Sequence, residues 1–287
     1  MSTALSFNCG YTDGRRDGAR YVAWYPTEEP EKEFGYGVLV GRGYVANEAE
    51  PLASPCPLVV FSHGGHSYPQ QSLFLTEHLA RLGYVVLATH HEDGNIPSFI
   101  DPGSWTEESC FHRKEDVSWL LDIAPDLFNL DTTPRAIIGH SMGGYTALAM
   151  GGGIRSWRDD RLNVVLALSP YHWPIAELGS FSHIKCPTML QSGTRDLGIL
   201  PTLDTVYDDL NGSKYFVVFR DVGHFTFSNT ACLTFDGGEA CIAGNPAVAL
   251  IVGNSVAFLN RFVRGIESPL LLSGVSSFHG REKWSDK

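Results

Sequence analysis

Short apolar runs and helix-like segments alternate along most of the chain. The apolar runs have the length and composition of buried parallel strands, and the segments between them repeat apolar residues at the spacing of one helix face. This alternation predicts an α/β fold, with a mostly parallel central sheet and helices on both faces. The predicted strands begin at Leu58, Tyr84, Arg135, Val164, Thr188 and Lys214, and the predicted helices cover residues 70–82, 113–122, 141–150, 204–210 and 248–262.

The first part of the chain shows a different pattern. Residues 21–25 and 37–40 are typical of an antiparallel hairpin at one edge of the sheet, and residues 41–56 read as a surface loop. No structure is assigned to the tail after Pro269. A length of 287 residues is ordinary for one α/β domain, so we expect a single domain over residues 1–287.

A serine between glycines stands where the third predicted strand gives way to a helix. Gly139 and Gly143 flank Ser141 in the sequence Gly-His-Ser-Met-Gly. Small neighbours permit the sharp strand-to-helix turn that lifts a nucleophilic hydroxyl above a sheet. The pattern alone also fits a glycine-rich connecting turn. The apolar run at residues 136–138 and the helical spacing after the serine favour a nucleophile at Ser141.

A nucleophilic serine requires a base and a third group that orients the base. In this strand-turn-helix context the acid and then the histidine follow the serine along the chain. His224 follows the apolar run at residues 215–219, where a loop would present it at the carboxyl edge of the sheet. We predict that His224 is the base. The other histidines after Ser141 are His172, His183 and His279.

The predicted acid is Asp196, which lies in the turn after the predicted strand at residues 187–193. Asp221 is a weaker candidate because it is too near His224 along the chain to approach it easily. The remaining candidates lie in a predicted helix and are interpreted as solvated carboxylates: Asp204, Asp208 and Asp209.

Acyl transfer also needs donors for an oxyanion. One is expected to be the backbone N–H of Met142, which follows the nucleophile. The second is assigned to Gly65, in the glycine-containing loop after the first predicted parallel strand, with His66 as a neighbouring possibility.

Histidines in two loops raise the alternative of a metal site. His63 and His66 form one pair, and residues 90–93 read His-His-Glu-Asp. Neither group is accompanied by a third ligand at zinc-like spacing, so both are interpreted as polar loops. We expect neither a metal nor another cofactor.

These residues carry a resemblance that extends from about residue 20 to residue 262. The chain resembles the dienelactone hydrolase-like and platelet-activating-factor acetylhydrolase-like esterases of the α/β-hydrolase superfamily. The resemblance implies a cofactor-free esterase working through Ser141, Asp196 and His224, with oxyanion donors at Gly65 and Met142. Dienelactone enzymes usually carry cysteine at the position of Ser141, so dienelactone itself is not the implied substrate. The matching segments are Trp24-Tyr25-Pro26, Phe61-Ser62-His63-Gly64-Gly65, His91-Glu92-Asp93-Gly94, Arg113 with Asp116-Val117 and Leu121-Asp122, Gly139-His140-Ser141-Met142-Gly143-Gly144, Gly193 with Asp196, and Gly223-His224-Phe225.

The formal net charge of -11 is spread among interspersed acidic and basic residues. Such a surface repels nucleic acid and anionic membranes. The sequence has no apolar run long enough for a membrane span and no recognisable signal peptide at its start, so we expect a cytoplasmic protein, or a secreted one if a leader has been removed. We expect a monomer or a homodimer.

Six cysteines are scattered along the chain without a Cys-x-x-Cys pattern. Most are interpreted as free thiols. Cys232 and Cys241 flank a glycine-containing loop just beyond His224 and could be bridged, which the sequence leaves open because a bridge depends on distance and compartment.

Aromatic residues crowd three segments near the predicted site. An aromatic wall suits an apolar or aromatic ester, although each ring could equally pack a loop onto the core. Phe225 and Tyr145 are expected to be core residues. The candidate wall residues are Phe99, Trp105, Tyr171, Trp173, Phe225 and Phe227, with His66 as a further candidate contact.

The leading hypothesis is a serine-dependent carboxylic ester hydrolase acting on a small-molecule or polymeric ester. Polyester or lactone hydrolysis and acyl transfer, including perhydrolysis, would use the same residues. A non-catalytic binding protein on a hydrolase fold is the alternative from another class. The sequence leaves the acyl and alcohol parts of the ester open.

Overall fold

Eleven strands form one sheet in the part of the chain that the computed structural model describes, residues 7–37, 40–94, 96–99, 101–272 and 279–285. Their order across the sheet is β11-β10-β9-β8-β7-β5-β6-β2-β1-β4-β3. The strands are β1 (Asn8–Arg16), β2 (Ala19–Thr27), β3 (Lys32–Gly37), β4 (Gly41–Asn47), β5 (Leu58–Ser62), β6 (Val85–Thr89), β7 (Arg135–His140), β8 (Leu162–Leu168), β9 (Thr188–Gly193), β10 (Lys214–Phe219) and β11 (His279–Ser285).

The six strands from β5 to β10 pair in parallel and form the centre of the sheet. Each begins within two residues of its predicted start. The predicted α/β fold is therefore confirmed, with α-helices at the five predicted places and, within the described residues, three further short ones. The helices are α1 (Leu73–Arg81), α2 (Phe111–Leu127), α3 (Met142–Leu148), α4 (Trp173–Leu178), α5 (Leu200–Asp209), α6 (Gly238–Gly244), α7 (Pro246–Arg264) and α8 (Pro269–Leu272).

Both faces of the sheet are covered by helices. Side chains of α2, α3 and α5 pack against one face, and those of α1 and α7 pack against the other. Parallel strands buried on both faces are apolar along their whole length, which explains why their positions were visible in the sequence. Helix α7 is long and apolar enough to cross a membrane by length and composition, but 61% of its most apolar stretch is buried inside the protein. This burial is typical of a core helix.

The expected N-terminal antiparallel hairpin at one edge of the sheet is present, but β3 and β4 form it, and the assignment to residues 21–25 and 37–40 is wrong. Strand β2 contains residues 21–25 and pairs with β1 and β6, whereas β3 pairs with β4. Residues 38 and 39 of the expected hairpin lie outside the described residues. The surface loop expected over residues 41–56 is also wrong in part, because it contains β4. Strands β3 and β4 mix glycines and charged residues with few apolar ones, so they lack a clear strand pattern.

The tail after Pro269, which had no assignment, contains α8 and β11. Strand β11 pairs antiparallel with β10 and completes that edge of the sheet. Strand β10 immediately precedes the loop of His224. The tail thus gives the strand before His224 a neighbour on each side.

Candidate active site

Ser141 occupies a strained turn between β7 and α3. Its backbone angles are φ 56° and ψ -116°, a conformation that non-glycine residues rarely adopt. The turn requires glycine on both sides. A Cβ on Gly139 would lie 1.9 Å from the Gly143 carbonyl oxygen, and one on Gly143 would lie 1.8 Å from the Ser62 carbonyl oxygen. The glycines of the sequence pattern therefore permit the close contacts that present Ser141.

The structure brings Ser141, His224 and Asp196 into one hydrogen-bonded chain. The Ser141 Oγ is 3.0 Å from His224 Nε2, and His224 Nδ1 is 2.8 Å from Asp196 Oδ2. Ser169 donates a second hydrogen bond to the same carboxylate oxygen. Burial alone would raise the pKa of Asp196, but the hydrogen bonds from His224 and Ser169 outweigh it and the pKa is lowered. An ionised Asp196 fixes the proton of a neutral His224 on Nδ1, so that Nε2 accepts from Ser141.

These three residues follow the carboxyl ends of parallel strands. Ser141 follows β7, Asp196 follows β9, and His224 begins a short 3₁₀ helix after β10. This edge is where open α/β sheets place their ligands.

The other candidates have different surroundings. Asp221 forms an exposed ion pair with Arg195, and His172 bonds to the Pro170 carbonyl and the Thr202 hydroxyl. His183 contacts Arg155. His279 lies in β11, and the three other aspartates, Asp204, Asp208 and Asp209, lie on α5.

The backbone N–H groups of Gly65 and Met142 have no hydrogen-bond partner among the described residues. Met142 follows Ser141 directly and is the first residue of α3. A Cβ on Gly65 would lie 3.1 Å from Met142 Cγ, so the two residues are neighbours. The N–H groups on either side of Gly65 are used elsewhere. Gly64 donates to Gln71 Oε1 at 2.6 Å and His66 donates to Asp93 Oδ2 at 3.0 Å, so His66 does not fit as an oxyanion donor.

A buried ion pair supports the loop that contains Gly65. Arg113 is fully buried and binds Asp93 through Nε and Nη2. The same guanidinium donates to the carbonyl oxygens of His63 at 2.8 Å and Gly64 at 3.2 Å. Burial would raise the pKa of Asp93, but hydrogen bonds from His112 and Arg113 outweigh it and lower the pKa well below its usual range.

This role of Arg113 and Asp93 was not predicted from the sequence, in which Asp93 falls in an expected polar loop and Arg113 is only part of the resemblance. An arginine followed by apolar residues at helical spacing was the available signal, but its partner 20 residues earlier cannot be read from the spacing.

A second serine, histidine and aspartate are hydrogen-bonded beneath the same loop. Ser62 Oγ is 2.9 Å from His91 Nε2, and His91 Nδ1 is 2.7 Å from Asp116 Oδ2. Ser62 and His91 are buried, and burial lowers the pKa of His91 well below its usual value. Burial raises the pKa of Asp116 to about 6. An ester has no access to Ser62, so this arrangement supports the loop.

Of the loop histidines considered as metal ligands, His63 and His91 are buried supports of the fold, whereas His66 and His90 are exposed. Burial lowers the pKa of His63 to about 3, and its Nε2 accepts the backbone N–H of His91 at 3.0 Å. No group of three or more histidine, cysteine, aspartate or glutamate side chains among the described residues is arranged to hold a metal ion.

The aromatic candidates fall into a buried layer and an exposed rim. Trp105 and Tyr171 are buried, with ring centroids 5.2 Å apart, and Trp173 packs on Tyr171 at the same distance. Phe99 lies over Tyr171 and is 46% exposed. A Cβ on Gly65 would approach the Phe99 ring to 3.3 Å. Phe99 therefore borders the site, while the other three rings support it.

Phe225 differs from its prediction as a core residue. It is 69% exposed, and its ring centroid is 5.4 Å from that of His224. Leu197, beside Asp196, is 76% exposed. The 3₁₀ turn after β10 directs Phe227 into the core and leaves Phe225 at the surface. Tyr145 is buried as expected, and His66 is exposed beside the Gly65 loop.

Comparisons with known proteins identify the fold. No protein-family model matches the chain, and neither does any curated protein. Among solved structures, the chain is similar to a ferulic acid esterase from Streptomyces cinnamoneus, with a TM-score of 0.70 and 22% sequence identity over 99% of this chain and 97% of that one. The chain has the α/β-hydrolase fold. The closer resemblance to dienelactone hydrolase-like and acetylhydrolase-like esterases stays a prediction.

A disulfide joins Cys232 to Cys241 just beyond the His224 loop. It ties the 3₁₀ helix Asn229–Cys232 to α6. The His224 loop has separate anchors, because Ser72 Oγ donates to the Phe227 carbonyl at 2.7 Å. The disulfide therefore closes a short loop next to the site without being its only support.

Replacing both bridged cysteines with serine is expected to lower the free energy of unfolding by about 2–3 kcal/mol, the loop-closure entropy of a bridge spanning this separation. Because the His224 loop keeps its other hydrogen bonds, kcat should change little. Denaturant unfolding of the double variant, with reduced wild type as the comparison, measures the effect. Equal unfolding midpoints for oxidised and reduced wild type would contradict a stabilising bridge.

Proposed function

We propose that the protein is a serine-dependent carboxylic ester hydrolase. The observation that carries the proposal is the hydrogen-bonded chain from Ser141 through His224 to Asp196, beside the unpartnered N–H groups of Gly65 and Met142. Nucleophile, base, orienting acid and oxyanion donors together are what acyl transfer requires.

In the proposed reaction, Ser141 Oγ attacks the ester carbonyl carbon while His224 Nε2 takes the hydroxyl proton. Asp196 stabilises the resulting imidazolium through Nδ1. The carbonyl oxygen becomes an oxyanion that accepts hydrogen bonds from Gly65 and Met142. The tetrahedral intermediate then expels the alcohol, which takes the proton from His224. Water activated by the same histidine releases the acid and restores Ser141.

We propose an apolar or aromatic ester as the substrate. The exposed apolar rim of Phe99, Phe225 and Leu197 around the site supports this choice, because exposed apolar groups next to a polar centre favour an apolar ligand. The structural similarity to a ferulic acid esterase agrees with an aromatic acyl group. The same exposed rim also favours the polyester alternative, since a polymer segment contacts a surface rather than an enclosed pocket.

Two measurements test the proposal. A panel of acetyl, long-chain acyl, feruloyl and polyester substrates should show hydrolysis with a preference for apolar or aromatic esters. A serine-directed phosphonate should label Ser141, identified by peptide mass spectrometry. A folded protein that hydrolyses no ester and is not labelled would favour a non-catalytic binding protein. Ester products exceeding free acid in the presence of an alcohol would favour acyl transfer.

Replacing Phe225 with alanine is expected to raise KM for aromatic esters about fivefold while leaving kcat and stability nearly unchanged. The exposed ring contributes little to the core, and an aromatic contact is worth about 1 kcal/mol. Kinetics of the variant on feruloyl and acetyl esters, with Leu233→Ala as a control at another exposed apolar side chain, measure the effect. Equal changes on both esters would argue against a ring-specific contact.

We further propose that the protein works in an oxidising compartment. A disulfide between Cys232 and Cys241 persists where thiols are not kept reduced. The sequence allowed a cytoplasmic protein or a secreted one, and the disulfide favours the secreted location. Whether the protein is a monomer or a homodimer stays a prediction.

A further inference from the structure

The side chain of Gln71 links the loop of Gly65 to the residue before the nucleophile. It is buried, and its Oε1 accepts the Gly64 N–H at 2.6 Å. Its Nε2 contacts His140 Nδ1, and His140 Nε2 is 3.0 Å from the His224 carbonyl oxygen. One chain of hydrogen bonds therefore runs from the proposed oxyanion loop, past Ser141, to the loop of the proposed base.

The direction of every hydrogen bond in this chain is fixed by chemistry. The Gly64 N–H only donates, so it requires the oxygen of the Gln71 amide. The amide nitrogen then faces His140 and only donates, so His140 Nδ1 must accept. The remaining ring proton lies on Nε2 and is donated to the His224 carbonyl. Burial and the neighbouring His224 lower the pKa of His140 to about 3, which keeps the ring neutral.

His140 also contacts the catalytic histidine directly. The two ring centroids are 4.7 Å apart, and His140 stacks against Phe227 on its other side. A hydrogen bond to the main chain of His224 together with contact to its ring limits how that imidazole can move. Because His140 directly precedes Ser141 in the chain, it joins the nucleophile and the base within one rigid unit.

We propose that Gln71 and His140 are positioning residues, in which the Gln71 amide fixes the His140 tautomer and thereby aligns the Gly65 loop, Ser141 and His224. The inference rests on the proposed ester hydrolysis. It adds two residues that touch no reacting atom. Neither role is predicted from the sequence, since His140 occupies a variable position of the serine motif and Gln71 falls in a predicted helix.

The test compares Gln71→Glu with Gln70→Glu. Glutamate at position 71 keeps the size and the acceptor for Gly64 but turns the donor toward His140 into an acceptor. When that carboxyl is ionised it can only accept, so His140 must move its proton to Nδ1, losing the hydrogen bond to His224, or take a second proton; the kinetics and spectra are therefore recorded at alkaline pH, where the carboxyl is ionised. Gln70 is a matched control because it is also buried and its amide donates to the Tyr11 hydroxyl at 3.0 Å, outside this chain of hydrogen bonds.

The kinetic expectation is a loss of kcat with little change in KM. Misalignment of catalytic groups by a fraction of an ångström to an ångström costs about tenfold to a hundredfold in Gln71→Glu. Gln70→Glu should keep the wild-type kcat. Unfolding measurements on both variants separate this loss from a general loss of stability.

Nuclear magnetic resonance of ¹⁵N,¹³C-histidine reads the tautomer directly. Wild-type His140, assigned by the absence of its signal in His140→Phe, should be neutral with its proton on Nε2. In Gln71→Glu the signal should change to the Nδ1–H tautomer or the imidazolium, and in Gln70→Glu it should not.

Three results would overturn the inference: a wild-type His140 with its proton on Nδ1, a wild-type kcat in Gln71→Glu, or equal losses of kcat in both variants. If Gln71→Glu does not fold, the test uses the wild-type spectrum and Gln71→Met, which removes both hydrogen bonds. A wild-type His140 with its proton on Nδ1, or a wild-type kcat in Gln71→Met, would then overturn the inference. Failure of the proposed function is a separate outcome. In that case the wild type neither hydrolyses esters nor reacts with the phosphonate, while the tautomer of His140 can still be measured.

Discussion

Replacing Ser141 with alanine is expected to lower kcat for ester hydrolysis by about 10⁴-fold to 10⁶-fold, because the proposed reaction forms its acyl intermediate on the Ser141 hydroxyl. Substrate should still bind, since the rim residues and the two N–H groups are unchanged. The variant should fold and lose little stability, because alanine has the same Cβ in the strained backbone conformation and only the hydroxyl is removed. Steady-state kinetics and phosphonate labelling of wild type and Ser141→Ala measure the effect.

Ser62→Ala is the matched control for this experiment. Ser62 is also hydrogen-bonded to a histidine that contacts an aspartate, but it is buried. Removing one hydrogen bond beneath the Gly65 loop should reduce kcat by less than about tenfold. Comparable losses in the two variants, or undiminished hydrolysis by Ser141→Ala, would refute Ser141 as the nucleophile.

Replacing Arg113 with methionine is expected to lower the free energy of unfolding by about 3–5 kcal/mol, because it leaves the buried Asp93 carboxylate without its partner. It also removes the donors to the carbonyls of His63 and Gly64, which shape the loop of Gly65. We therefore expect kcat to fall by about tenfold to a hundredfold in the fraction that folds. Denaturant unfolding and kinetics at saturating substrate measure the two effects separately.

The double variant Arg113→Met, Asp93→Leu separates the loss of stability caused by an unpaired buried charge from the loss of kcat caused by the missing hydrogen bonds to the loop. Removing both charges should restore much of the stability, since a buried pair replaced by apolar groups is often close to neutral. It should not restore kcat, because the loop carbonyls still lack their donors. Arg161→Met is a control, since Arg161 pairs with Asp159 and Asp122 near the surface and should cost about 1 kcal/mol or less. Full recovery of kcat in the double variant would contradict the expectation that the Arg113 hydrogen bonds shape the loop of Gly65.

The stability loss of Arg113→Met should depend on pH. In the wild type the pKa of Asp93 is lowered, so the pair stabilises the fold above the pKa of an unfolded aspartate, about 3.9, and this contribution is lost as the pH falls below that value. In the variant, burial favours a protonated Asp93, which becomes easier to form at low pH. The difference in unfolding free energy between the two proteins should therefore be largest near neutral pH, begin to shrink as the pH falls through the raised pKa of Asp93 in the variant, and continue to shrink below about pH 4.

The parallel centre of the fold was predictable because its strands are apolar throughout and are separated by helical periodicity. The same regularity led to Ser141, Asp196 and His224, since each follows a strand that the sequence makes visible. The outer strands β1, β3 and β4 were not assigned as they occur. They carry polar and glycine residues on exposed faces, and their pairing is set by contacts that no local pattern reports.

The buried polar contacts of the site were not predictable for a different reason. Arg113 and Asp93, or Gln71 and His140, meet only after helices and loops have packed on the sheet, and their separations along the chain have no characteristic value. Phe225 shows the converse error. A phenylalanine just after an apolar strand is usually a core residue. Here the 3₁₀ turn leaves Phe225 exposed and buries Phe227 instead.

The buried Ser62 and His91 beneath the Gly65 loop give a way to measure how often that loop opens. A serine-directed reagent can reach Ser62 only when the loop above it opens, so its rate of modification there would report the free energy of local opening. Modification of Ser141 in the same molecule would report the reactivity of the closed state. The ratio of the two rates would show how often the loop of Gly65 leaves its place.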